Sequence, residues 1–123
     1  MFQLADIVDN YITHTSLIPN DLVCLVIKGS GSDAFCSGAS FSLVKNVVND
    51  SNKGKLMAEF MTDCLNRIRQ SGLISLCYIN GPALGGGAEL TTVTDFRLIS
   101  SDARIQFVHA KLGNRLVLNM EVL

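Results

Sequence analysis

An α/β fold with a mostly parallel sheet is predicted by three features of the sequence. Two continuous apolar runs of strand length occur at residues 22–28 (LVCLVIK) and 74–80 (ISLCYIN). A long stripe of apolar residues at helical spacing lies between them, and a glycine-rich loop follows each run directly. Runs with no polar alternation are the pattern of strands covered on both faces, as in parallel sheets. A helix joining two such strands brings the second back parallel to the first through a right-handed crossover.

The elements follow in order. Leu4, Ile7, Val8, Tyr11 and Ile12 recur with helical period, which predicts an amphipathic helix over about residues 3–13. The first strand is residues 22–28, and residues 29–40 (GSGSDAFCSGAS) form a loop of small residues. Leu56, Met57, Phe60, Met61, Cys64, Leu65 and Ile68 mark a long helix near residues 55–69 whose apolar stripe is core. The second strand is residues 74–80, and residues 81–87 (GPALGGG) open a further helix near Ala88. Residues 95–100 (DFRLIS) and 104–108 (RIQFV) read as short strands separated by a turn at Ser101-Asp102. From Asn114 one weak apolar pattern remains, and the chain shows neither an internal repeat nor a linker.

A chain of 123 residues, 48% hydrophobic and 17% charged, has globular composition and room for one domain. Its mean hydropathy of +0.33 is high for so small a domain standing alone. Ten Lys and Arg against eleven Asp and Glu leave a net charge of −1 with no basic stripe, which argues against a nucleic-acid partner. No apolar stretch approaches a membrane span, and residues 1–10 carry two Asp and no base, which argues against a secretory or mitochondrial leader. Cys24, Cys36, Cys64 and Cys77 show no Cys-x-x-Cys spacing and three lie in apolar patterns, so free thiols in a reducing, cytosolic compartment are expected. The two histidines neighbour no cysteine, and no metal is expected.

Both glycine-rich loops follow buried strands, which places them at the carboxyl edge of the sheet, where open α/β proteins bind ligands. Gly85-Gly86-Gly87 leads into a helix start, where free N–H groups and the positive dipole end favour an anion or an oxygen gaining charge. A phosphate loop is excluded although Gly81 and Gly86 have its spacing, because Gly87 and Ala88 replace the lysine and hydroxyl residue that chemistry needs. Gly29-Ser30-Gly31 falls short of a dinucleotide fingerprint, with Ala34 at the third glycine.

AFCSGAS at residues 34–40, NGPALGGGAEL at residues 80–90 and DFRLISSDARIQF at residues 95–107 resemble, in order and spacing, the signature of the crotonase (enoyl-CoA hydratase/isomerase) superfamily. The similarity spans residues 4–113. It implies a ββα spiral core, an acyl-CoA thioester as the bound substrate with no further cofactor, and two backbone N–H groups that stabilise the thioester enolate. By position these belong to Ala39 and Gly86, with Cys36, Ser37, Gly38, Ser40 and Gly85 lining the substrate. The same glycines would serve equally well as plain turn formers. Cys36 lies in the loop, yet nothing beside it in sequence supplies a base, so it is not expected to be a nucleophile.

Glu89 matches one of the two catalytic glutamates of similar hydratases. It can equally be a charge partner for the helix start. The second hydratase glutamate falls at His109, and Ser40 stands where an acid is often found. One carboxylate instead of two points away from hydration, and FCSG, GGGAEL, TDFRL and FVH together resemble the family's decarboxylating members, whose alkylmalonyl thioester brings its own carboxylate into the pocket. Beside that carboxylate an imidazole at His109 avoids like-charge repulsion and can donate a hydrogen bond or a proton; a satisfied structural histidine is the other reading. His14 is expected to be a surface residue.

Members of the family continue well beyond the position of Gly113 and begin with an additional strand or hairpin, so the chain reads as a partial core over residues 1–113 with a divergent tail over residues 114–123. It is expected to lack the carboxyl-terminal helical layer through which family members form trimers or hexamers. Three readings stay open: an acyl-CoA decarboxylase-like lyase, a hydratase or isomerase using Glu89, and an inactive, self-associating fragment.

Overall fold

A computed structural model of the chain describes residues 2–13, 22–40, 45 and 50–108. The fold is α/β, and every strand pair among the described residues is parallel. The first helical segment is α1, Phe2–Ile7, which continues as a π-helical stretch over Val8–Thr13. The strand β1, Cys24–Lys28, leads through the first glycine loop to the long helix α2, Ser51–Arg69. Then come β2, Ile74–Ile79, the two-residue β3, Ala83–Leu84, and the short helix α3, Gly86–Thr91. The strands β4, Phe96–Ile99, and β5, Ile105–Gln106, close the order.

Two sheets result. One has the order β1-β2-β4, with Val26 opposite Leu76 and Leu76 opposite Phe96; the other pairs β3 with β5. The helix α2 starts at Asp50, whose carboxylate accepts from the N–H groups of Asn52 (3.1 Å) and Lys53 (3.3 Å) and so satisfies two of the donors a helix start leaves open. Arg67 and Arg69 in its last turn complement the negative end of the helix dipole. The buried stripe of α2 is Met61, Cys64, Leu65 and Ile68. Cys64, Leu65 and Ile68 pack with Val8 and Val93, and with Leu4 and the inner face of β1 at Leu25 and Ile27. Arg67 joins the two helical segments by its ion pair to Asp9, and pairs within α2, at 2.8 Å, with Asp63.

A second cluster of Phe35, Cys77, Ile79 and Ala83 sits at the carboxyl ends of the strands, with Ile27 and Leu90 packed against both clusters. Burial pushes the Cys77 thiol up to about 11 and raises Cys64 as well, so both stay protonated as small hydrophobes.

The expectation of strands covered on both faces holds for one face only. Ser75, Cys77 and Ile79 are buried, whereas Ile74 and Tyr78 on the opposite face of β2 are exposed, as is Val26 on β1. Phe96 and Leu98 on β4 extend the same uncovered surface. The register explains the two continuous apolar runs: β1 and β2 each carry a core-facing side and a second, largely apolar side that the described residues leave open.

The turn into β4 is held by a closed set of bonds. Asp95 Oδ2 accepts from the Ser75 amide (2.7 Å) and the Ser75 hydroxyl (2.6 Å), while the Asp95 amide donates back to the Ser75 hydroxyl oxygen (3.0 Å). Arg97 Nη1 donates to the carbonyls of Thr91 (3.0 Å), at the end of α3, and Thr94 (2.9 Å), in the turn beyond it. The Ser75 hydroxyl and amide bonds hold the Asp95 carboxyl below its usual range. A carboxyl depressed by folding stabilises the fold above its ordinary titration range, near pH 3.9, and that contribution is lost as pH falls through the folded value. Denaturation midpoints are therefore expected to drop from pH 5 to pH 3 more steeply in the native chain than in Asp95→Asn; equal slopes would remove this carboxyl from the pH dependence.

Candidate active site

Because β1 and β2 are parallel neighbours, the segments that leave them emerge side by side. The first glycine loop turns back and runs along the residues that follow β2. The amides of Phe35 (3.1 Å) and Cys36 (3.2 Å) both donate to the Pro82 carbonyl, and the Leu84 amide donates to the Cys36 carbonyl at 2.9 Å. Cys36 and Ala83 form a parallel bridge. On its other side the same segment pairs with β5, through Ala83 N–H to Arg104 O (2.8 Å) and Gly85 N–H to Gln106 O (3.0 Å). The strand β3, Ala83–Leu84, thus lies centrally between the first loop and β5.

Two glycines make this packing possible. Gly85, with φ of 56°, takes the turn from β3 into α3 in a backbone region that side chains disfavour. A Cβ on Gly87 would collide with the Cys36 carbonyl oxygen and sit 2.8 Å from Cys36 Cβ, so the helix start touches the first loop directly.

The loops meet at Gly38 and Gly86. A Cβ placed on Gly38 would lie 3.0 Å from Leu84 O and 3.6 Å from Gly86 N, which sets the Gly38–Ala39 peptide beside the start of α3. Among the described residues no hydrogen bond engages the backbone N–H of Ala39 or of Gly86. Ala39, Ser37 and Ser40 are exposed, Cys36, Gly38 and Gly86 half-buried, and Gly85 buried. The helix α3 begins two residues earlier than expected from the sequence and spans six residues, too short for its dipole to dominate; local N–H groups are the relevant donors.

Glu89 lies in the first turn of α3 with 2% of its surface exposed. His109 and His14 lie outside the described residues. Among the described residues no group of three His, Cys, Asp or Glu side chains could hold a metal ion, and no helix is long and apolar enough to cross a membrane.

The sequence reading missed two residues here. Met61, assigned only to the core stripe of α2, brings its methyl group to 3.6 Å from the position a Gly86 Cβ would take. Asn80, read as the polar end of a strand, bonds across to the first loop: the Gly29 amide donates to its Oδ1 at 2.8 Å. A side chain with both donors and an acceptor, placed at the end of an apolar run and before a glycine, was the available signal.

Two parallel strands whose following loops meet through backbone hydrogen bonds define an α/β protein with a candidate ligand site where the loops join. The chain belongs to the enoyl-CoA hydratase/isomerase family, whose model matches residues 13–116. Among its relatives, the ethylmalonyl-CoA decarboxylases of Danio rerio and Gallus gallus are 46% and 47% identical to it over 89 residues, 72% of this chain. Those 89 residues span 29% of the length of either relative. Of solved structures, Pseudomonas aeruginosa DspI superposes with a TM-score of 0.80 at 24% identity, covering 94% of this chain and 42% of that one, a likeness of fold.

Proposed function

We propose that the chain carries the thioester-binding part of an acyl-CoA decarboxylase acting on alkylmalonyl thioesters, with the backbone N–H groups of Ala39 and Gly86 as its oxyanion hole. The observation that carries the reading is the meeting of the two loops at Gly38 and Gly86, with both N–H groups unengaged among the described residues. The similarity to ethylmalonyl-CoA decarboxylases supports the choice of reaction.

The chemistry requires such donors. When the α-carboxylate of an alkylmalonyl thioester leaves as carbon dioxide, the electron pair of the broken carbon–carbon bond passes into the thioester carbonyl, and the enolate oxygen takes the charge. A preorganised donor aimed at that oxygen is worth about 3–4 kcal/mol of barrier. Protonation of the α-carbon then gives the acyl thioester. In this reading Glu89 and His109 handle that proton and the departing carboxylate, and residues 36–40 with Gly85 line the thioester. No metal or redox group takes part in these steps as written.

Product analysis tests the reading. With an α-alkylmalonyl-CoA and crotonyl-CoA offered to a form of the protein extended to the length of its relatives, carbon dioxide and the saturated acyl-CoA are expected in preference to hydration of crotonyl-CoA. Hydration of crotonyl-CoA without release of carbon dioxide would keep the family and reject the decarboxylase assignment. Binding gives a second measure: an acyl-CoA thioester should bind more tightly than its thioether, which lacks the carbonyl oxygen, and equal affinity would reject the oxyanion hole.

A further inference from the structure

We propose that Asn80 is the positioning residue of this site, its carboxamide setting where the first glycine loop lies against the second. The inference rests on the reading of Ala39 and Gly86 as oxyanion donors, and adds a residue whose side chain bonds to the first loop upstream of both.

Asn80 follows the last residue of β2, and all three of its side-chain bonds go to the opening of the first loop. Its Oδ1 accepts from the Gly29 amide at 2.8 Å, and its Nδ2 donates to the carbonyls of Gly29 (3.2 Å) and Gly31 (2.8 Å). One acceptor and two donors on a planar group are what a primary amide offers. An aspartate would keep the first bond and set a carboxylate against two carbonyl oxygens. An alanine would leave three backbone groups without their partner.

The returning limb of the loop is held by the next residues of the same segment. A Cβ on Gly81 would lie 3.0 Å from Ala34 Cα, and the Pro82 carbonyl takes the amides of Phe35 and Cys36. Both limbs are therefore referenced to residues 80–82, the outgoing limb by the Asn80 side chain and the returning limb by backbone. Gly38 and Ala39 follow the returning limb immediately. Oxyanion donors lose their effect when displaced by a fraction of an ångström to an ångström, so whatever fixes the loop fixes the site.

The test uses the full 123-residue chain with Asn80→Asp and Asn80→Ala, read by residue-resolved amide hydrogen exchange and by binding of an acyl-CoA thioester and its thioether. The Cys36 and Leu84 amides, which bond across the two loops, should exchange roughly tenfold faster in either variant, while the α2 amides of Cys64, Leu65 and Ile68 stay within about twofold of the native rate. The preference for thioester over thioether should fall about tenfold, because only the carbonyl contact depends on the donors. Native exchange at Cys36 and Leu84 in both variants would overturn the proposal, as would a uniform rise that includes α2. If Asn80→Ala does not fold, Asn80→Asp decides by the same readout. If the native chain itself shows no thioester preference, the oxyanion reading fails, and the exchange data alone decide whether Asn80 sets the loop.

Discussion

Gly87→Ala is expected to destabilise the chain by roughly 3 kcal/mol, at the upper end of what single substitutions do. The added methyl meets the Cys36 carbonyl, and a peptide group cannot swing aside as the tip of a flexible side chain can. That carbonyl accepts from the Leu84 amide, so moving it breaks the contact between the two glycine loops. Gly72→Ala is the matched control. Gly72 has φ of 73° and nothing within 4 Å of an added Cβ, so it carries only the backbone cost of a left-handed alanine, about 1–2 kcal/mol. Urea midpoints of the two variants measure the difference. A Gly87→Ala chain as stable as Gly72→Ala would mean that the loops are not in the contact described.

Association driven by the open sheet face is the second large effect expected. Val26 (55% exposed), Ile74 (57%), Phe96 (60%) and Leu98 (57%) lie on one surface with Leu76 and Tyr78, across three adjacent strands. Lys28 is the charged side chain that the register places among them. A contiguous apolar surface of this kind, on a sheet whose outer strands β1 and β4 each keep an edge unpaired among the described residues, drives self-association. The purified chain should elute above the 13.3 kDa of a monomer, with an elution volume that depends on concentration. Phe96→Lys combined with Ile74→Lys should shift it toward monomer, because both positions lie outside the core and a charge there opposes stacking of one face on another. A monodisperse monomer at every concentration would show that the face needs no cover.

The strands and the long helix were legible because their signals are local. Residues 22–28 and 74–80 announce strands by composition, and the stripe from Leu56 to Ile68 announces α2 by period. What those runs could not tell is which face is covered, since Val26 and Ile27 are equally apolar and differ only in the neighbours the register assigns them. The site was legible as two loops, because glycine at Gly38 and Gly85–Gly87 is a backbone requirement that shows in the sequence. Asn80 was not, because its partners Gly29 and Gly31 lie some fifty residues away and nothing in composition links them. The strand β3 escaped for the same reason: Ala83 and Leu84 have no strand pattern of their own and are extended because Cys36 lies on one side and β5 on the other.

The parallel pairing of β1 with β2 bears on how the chain comes into being during synthesis. Cys24–Lys28 leaves the ribosome well before its partner Ile74–Ile79, with the whole of α2 translated in between. The pairing of β1 with β2 cannot form in the interval, because a parallel ladder needs its crossover complete first. The Phe35 and Cys36 amides must likewise wait for Pro82. The nascent first loop therefore has no local minimum to settle into. Both glycine loops should gain order in one late step, and slowing translation between Lys28 and Ile74 should lengthen the time for which the first apolar run is open to chaperones.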